Sequence, residues 1–147
     1  ATVRSGRLAR LIRDHAAEVA VHLEPCPGWA TRVETLHLED AVFGDEVQAK
    51  ITPLLEAGVD RLVLGCTHYA FLRPLLHPLV QGRAELVDVA EAEARQTLRL
   101  DGEAATGEGC LYLLATTRPE RLRAALPALG LSWLIGRIHE PPRLAAI

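Results

Sequence analysis

The sequence has no methionine and no asparagine, and Lys50 is its only lysine against 15 arginines. So arginine-heavy a basic set is read as coding bias rather than as guanidinium chemistry. A net charge of −3 excludes a general nucleic-acid or polyanion binder. The three cysteines, Cys26, Cys66 and Cys110, are odd in number, widely spaced and outside any zinc pattern. A disulfide framework is therefore not expected, and a reducing compartment is. No apolar run reaches membrane-spanning length, and no positively charged leader precedes an apolar stretch. The expectation is a soluble, cytoplasmic protein with no membrane partner. There is no Gly-rich phosphate loop, internal repeat, low-complexity tract or paired metal-ligand spacing, so neither cofactor nor metal is expected.

What remains is ordinary globular composition, 49% hydrophobic and 24% charged over 147 residues. That length can bury a real core. Capping residues open the chain, and Val3, Leu8, Leu11 and Ile12 then share one face, which predicts a helix over 4–17. Residues 19–23 read as a short strand. Two prolines and a glycine exclude regular structure from the first half of 24–34, and 35–39 reads as connection. Acidic residues followed by Val47, Ile51, Leu54 and Leu55 predict a helix over 45–57, kinked or restarted at Pro53 and stopped by Gly58. A buried strand over 61–64 follows. Then come a short helix ended by Pro78, a strand over 85–89, a helix over 91–100 and a mobile loop over 101–109. Beyond it, 110–114 reads as a strand, Thr117 as the N-cap of a helix, 132–138 as a last strand, and the tail with Pro141-Pro142 as loose. Alternating strands and helices imply an α/β protein, a mostly parallel sheet with flanking helices.

The chemistry concentrates at Gly65-Cys66-Thr67-His68-Tyr69. The glycine ends the strand and is expected to turn the chain tightly. Pro74 fits only in the first turn of the next helix. Strand, turn, Cys-Thr-His and helix entry mark the usual place for a site in an open α/β sheet. A thiol there faces free backbone N–H groups and the positive end of a helix, a setting that favours the thiolate, the form that does chemistry. The other reading is a buried, inert cysteine beside a capping threonine. Of the six histidines, His68 alone has a chemical neighbour in sequence.

This stretch resembles the second active-site motif of the glutamate racemases, with all five positions present. Further resemblances lie in Thr2-Val3-Arg4-Ser5-Gly6, in Cys26, Pro27 and Glu34 of the Cys-Pro segment, and in Thr116-Thr117 with Pro119-Glu120-Arg121. Thr31 replaces the segment's second proline, and Arg118 stands where the family often has Gly-Asp.

The resemblance implies cofactor-independent racemisation of glutamate by two thiols, one on each face of the α-carbon. Cys66 would be one of them. His68 would tune it or relay protons, and Glu34 would act nearby. Thr67, and Thr2 near the substrate carboxylate, would bind substrate; a plain capping role for Thr2 stays open. Cys26 and Cys110 would be structural. The family's first thiol sits in a Cys-Asn-Thr-Ala stretch of an amino-terminal domain, which this sequence does not contain. The expectation is therefore a carboxyl-terminal portion holding half an active site and inactive alone. Residues 1–91 would form the racemase-like second domain. Residues 92–147 would be a crossover segment that packs on the absent first domain, and a homodimer is the other partner considered. The parent enzyme would be an isomerase supplying D-glutamate for peptidoglycan, hence cell-wall biogenesis and cell shape. Alternatives are an aspartate racemase, a one-cysteine decarboxylase of the same superfamily, or a non-catalytic binding module.

Overall fold

The computed structural model describes residues 2–101 and 109–145. Among the described residues six α-helices are present: α1 (Gly6–His15), α2 (Trp29–Glu34), α3 (Ala41–Glu56), α4 (Arg73–Val80), α5 (Ala90–Asp101) and α6 (Glu120–Ala128). Four short strands accompany them: β1 (Arg61–Leu64), β2 (Glu85–Asp88), β3 (Leu114–Ala115) and β4 (Arg143–Leu144). The class is α/β. The strands pair in parallel, β1 with β2 and β3 with β4, as two separate ribbons.

The core forms because three helical segments place apolar side chains on one face each. In α3 these are Phe43, Val47, Ile51 and Leu55, every fourth residue and all buried. Leu72, Leu76 and Val80 repeat the spacing from the motif into α4, and all three are at most 1% exposed. Trp29 and Val33 of α2 and Leu64 of β1 complete the cluster. Leu129, just beyond α6, packs partly buried against it. Burial outweighs local propensity at both internal prolines. Helix α3 continues through Pro53 without a restart, and α4 runs past Pro78, against the expected stop. Both rings are exposed, and each proline lies between two buried anchors, Ile51 and Leu55 or Leu76 and Val80.

Other expectations are corrected. Residues 19–23 are irregular, with Val19, Val21 and Leu23 exposed, because no described strand lies alongside to accept their backbone groups. The segment 24–34 is irregular in its first half, as expected, and closes with α2, whose start is Gly28 at φ 85°. Strand β1 is half-buried rather than buried: Leu64 is 4% and Val63 60% exposed, so one face of the ribbon is open. Residues 132–137 form a 3₁₀ turn packed on α6, not a strand. Of the expected 110–114 strand only Leu114 lies in β3, which runs on to Ala115, while Leu111 makes a single parallel bridge to Ile138. The tail with Pro141-Pro142 is tied down as far as β4, which pairs with β3. Thr117 does not cap α6. Pro119 holds that position, and Arg118 before it adopts φ 45°, the left-handed region that glycine takes without strain. The expected loop over 101–109 lies, apart from its two ends, outside the described residues.

Helix α1 buries none of its residues and packs mainly on the 3₁₀ turn Thr2–Arg4 before it. Leu11, Leu98, Leu100, Tyr112, Leu114, Trp133 and Leu144 are also exposed. No described helix is long and apolar enough to cross a membrane.

The Asp40 side chain caps α3 by accepting from the Val42 N–H at 2.9 Å, and it pairs with Arg32 at 2.9 Å. The cap first and Arg32 second hold its carboxyl below the ordinary aspartate range. A depressed folded-state value makes this contribution present above the unfolded value, about 3.9, and lost as pH falls through the folded value. Asp40→Asn keeps a cap but not the charge. Urea midpoints of the two proteins should differ at neutral pH and converge on acidification below that range; a constant gap would exclude the linkage.

Candidate functional site

The ribbon β1–β2 presents its carboxyl end at Leu64 and Asp88, which pair in register. Beyond Leu64 the chain does not turn at Gly65. That residue is not in the left-handed region, and an added Cβ would meet nothing within 4 Å. Cys66 is itself extended (φ −144°, ψ 134°), and the chain then winds into a 3₁₀ turn, Thr67–Leu72, followed directly by α4. The tight turn expected of Gly65 is thus made one residue later, where the Tyr69 N–H donates to the Cys66 carbonyl at 2.9 Å. Pro74 lies in the first turn of α4, where a missing N–H costs nothing.

This geometry sets three side chains in a line. Cys66 Sγ lies 3.8 Å from His68 Nδ1, and His68 Nε2 lies 3.0 Å from Glu34 Oε1. Glu34 is the last residue of α2, which packs against the 3₁₀ turn of the motif. A carboxylate oxygen only accepts, so Nε2 carries the proton toward Glu34. In neutral His68 the Nδ1 lone pair then faces the thiol. Cys66 and His68 are partly buried, and the Glu34 side chain is 66% exposed. The line therefore lies at an open edge of the molecule.

Of the residues expected in the site, Cys66, His68 and Glu34 meet. Thr67 stands exposed between the first two. Thr2 begins the first 3₁₀ turn, and its side chain lies outside the described residues. Sequence reasoning missed two neighbours of the motif. Tyr69 donates its hydroxyl to the Cys26 carbonyl at 3.1 Å, and Trp29 packs edge-on to both Tyr69 and Phe43, with ring centroids 5.7 and 5.9 Å apart. Tyr69 was legible as part of the motif. Trp29 carried no signal beyond its apolar bulk.

Cys26 differs from Cys66 in its surroundings. Burial first, then the Glu24 carboxylate, pushes its thiol up. Its Sγ contacts the Glu24 carbonyl at 3.7 Å, and Glu24 is itself paired with Lys50. Burial, with the two cysteines nearby, also pushes the Tyr69 phenol up, so Tyr69 remains a hydrogen-bond donor at neutral pH. Cys110 is exposed. Among the described residues, no group of three His, Cys, Asp or Glu side chains is placed to hold a metal ion.

No protein-family model matches the chain. Among curated proteins it is similar to the glutamate racemase of Pseudomonas putida strain F1, 39% identical over 132 residues covering 87% of this chain and 50% of that protein. That of Ectopseudomonas mendocina is 36% identical over 140 residues with the same coverages. That of Herpetosiphon aurantiacus is 43% identical over 100 residues, 68% of this chain and 39% of the relative. The chain thus spans about half the length of the curated relatives it matches. Along that half, and with the complete Gly-Cys-Thr-His-Tyr motif at its sheet edge, the chain belongs to the glutamate racemase family.

Proposed function

We propose that this chain is the carboxyl-terminal part of a cofactor-independent glutamate racemase, an isomerase, and that it supplies one of the enzyme's two acid–base thiols. The observation that carries the reading is the line from Cys66 through His68 to Glu34. As substrate enters the site, the thiol proton passes from Sγ to the Nδ1 lone pair of neutral His68, leaving a thiolate, and the Glu34 carboxylate balances the imidazolium so formed. With substrate bound, the thiolate takes the α-proton from one face. The C–H electron pair remains on the substrate as a carbanion, and a thiol on the opposite face returns a proton. In the reverse direction the two groups exchange roles. Thr67 contributes a hydroxyl and a backbone N–H to the substrate's carboxylate or amino group, and the family resemblance assigns Thr2 to the carboxylate.

The second thiol belongs to the other half of the enzyme, which also covers the bare faces of α1 and of the segment after residue 91. The raised, partly buried Cys26 is poorly suited to serve in its stead. The parent protein would act in the cytoplasm, making D-glutamate for peptidoglycan, and self-association is the competing way to cover the exposed apolar residues.

The chain alone should not invert glutamate, as followed by chiral chromatography. Mixed or co-expressed with the amino-terminal half of a racemase relative, it should form a complex and inversion should appear. Inversion by the isolated chain, or none by a well-formed complex, would overturn the reading. Elution of the isolated chain as a dimer would favour self-association instead.

A further inference from the structure

Helix α2 has only six residues, begins at a left-handed glycine and has no side-chain N-cap. Such a helix does not hold its own orientation. Its last residue nevertheless brings a carboxylate to 3.0 Å from His68 Nε2. The restraint comes from the motif itself. The Tyr69 hydroxyl donates to the carbonyl of Cys26, two residues before Gly28, at 3.1 Å. Its ring packs edge-on against Trp29, the first residue of α2. Trp29 is 2% exposed, and its Nε1–H donates to Glu46 of α3 at 3.0 Å. Val33, next to Glu34, is also buried. Helix α2 is thus fixed at its start by Tyr69 and Trp29 and seated in the core by Val33, while Glu34 itself is exposed.

We propose that Tyr69 is a positioning residue. By tying the Cys26 carbonyl and the start of α2 to the motif turn, it sets the reach of Glu34 to His68 and so holds the imidazole proton on Nε2, leaving Nδ1 bare toward Cys66. The catalytic interpretation rests on the function proposed above; the positioning itself does not. One short turn therefore carries both the proton-transfer groups and the hydroxyl that aligns their carboxylate partner. Tyr69 needs no contact with substrate for this. Its raised phenol keeps the donor proton in place across the neutral range.

The test is the tautomer of His68, read from the paired imidazole nitrogen shifts of the full 147-residue chain in long-range 1H–15N spectra. His68 is assigned by His68→Gln. With Glu34 in reach, neutral His68 carries its proton on Nε2. Glu34→Gln serves as the reference for loss of the carboxylate. Tyr69→Phe keeps the ring against Trp29 and removes only the hydroxyl. It should move the nitrogen shifts of His68 toward those of Glu34→Gln, and the rate of Cys66 alkylation, followed peptide by peptide, in the same direction. In the Glu34→Gln background Tyr69→Phe should change neither readout further. If Tyr69→Phe leaves the His68 shifts in place, or changes both readouts equally in the two backgrounds, Tyr69 is merely a packing residue. Unfolding midpoints of all variants separate a general loss of structure from a local one. A moved tautomer together with an inactive reassembled enzyme would retain the positioning role and reject the racemase reading.

Discussion

Replacing Cys66 by serine in the reassembled enzyme is expected to lower glutamate inversion by roughly 10²–10⁴-fold, the usual range for a lost acid–base group. The hydroxyl is close in size to the thiol, so the fold and the His68–Glu34 bond should persist. A serine hydroxyl is far too weak an acid to exist as the base at neutral pH, and a lone imidazole 3.8 Å away does not change that. The isotopic signature is more specific than the rate. A thiol on the opposite face can still remove the α-proton of its own enantiomer and return a solvent proton to the same side. In deuterated water, one enantiomer should therefore exchange without inverting, while the other does neither. Loss of both exchanges would indicate a damaged protein; retention of both would show that Cys66 is not a base. Cys26→Ala and Cys110→Ala serve as controls and should leave inversion within a few-fold of the parent. The Cys26 thiol is pushed up and contacts the Glu24 carbonyl, and Cys110 is exposed, away from the motif in sequence.

Trp29→Ala is expected to cost about 3–5 kcal/mol of stability, the range for truncating a fully buried large aromatic. The indole is 2% exposed, meets Phe43 and Tyr69 edge-on and donates to Glu46, so the change opens a cavity where three elements meet. Small domains are stable by about 5–15 kcal/mol, so a loss of this size would leave the chain close to unfolding. Urea titration followed by far-ultraviolet circular dichroism measures it. A shift equivalent to less than about 1 kcal/mol, the centre of the general mutational distribution, would mean that α2 is not part of the core. Trp133→Ala, at a side chain 66% exposed, should stay within about 0.5 kcal/mol of the parent.

The helices and the site were readable from sequence where one local pattern sufficed. Arg61–Leu64 is a strand because three apolar residues, Leu62 to Leu64, end at a glycine, and α3 shows its inward face at every fourth position. The motif gave Cys66 and His68 because they are neighbours in the chain. Glu34 lies 34 residues from His68, and it entered only through resemblance to a family segment. The failures share a cause: a strand requires a partner, and alternation does not supply one. Val19, Val21 and Leu23 alternate well and remain unpaired, while Arg143–Leu144, in a stretch marked as tail by two prolines, pairs because β3 offers an edge. Pro53 and Pro78 misled in the opposite sense, since the burial of Leu55 and Val80 is decided by tertiary packing. Residues 132–137 looked like a strand by composition and became a turn under α6. The function of Tyr69 as a tether was not readable, because its partner is a backbone carbonyl 43 residues away.

The two tryptophans occupy opposite environments, Trp29 at 2% exposure in the core and Trp133 at 66% on the turn beneath α6. The molecule thereby contains two optical reporters, one for each part of the chain, distinguishable by colour and by quencher access. Indole emission from the core site is blue and shielded from iodide, whereas that from the turn is red and quenched. A single fluorescence titration with denaturant thus follows the motif-bearing core and the carboxyl-terminal segment separately, and shows whether they unfold together. When a second polypeptide covers the turn, the red component loses its quencher access while the blue one stays constant. Assembly can therefore be watched without attaching any dye.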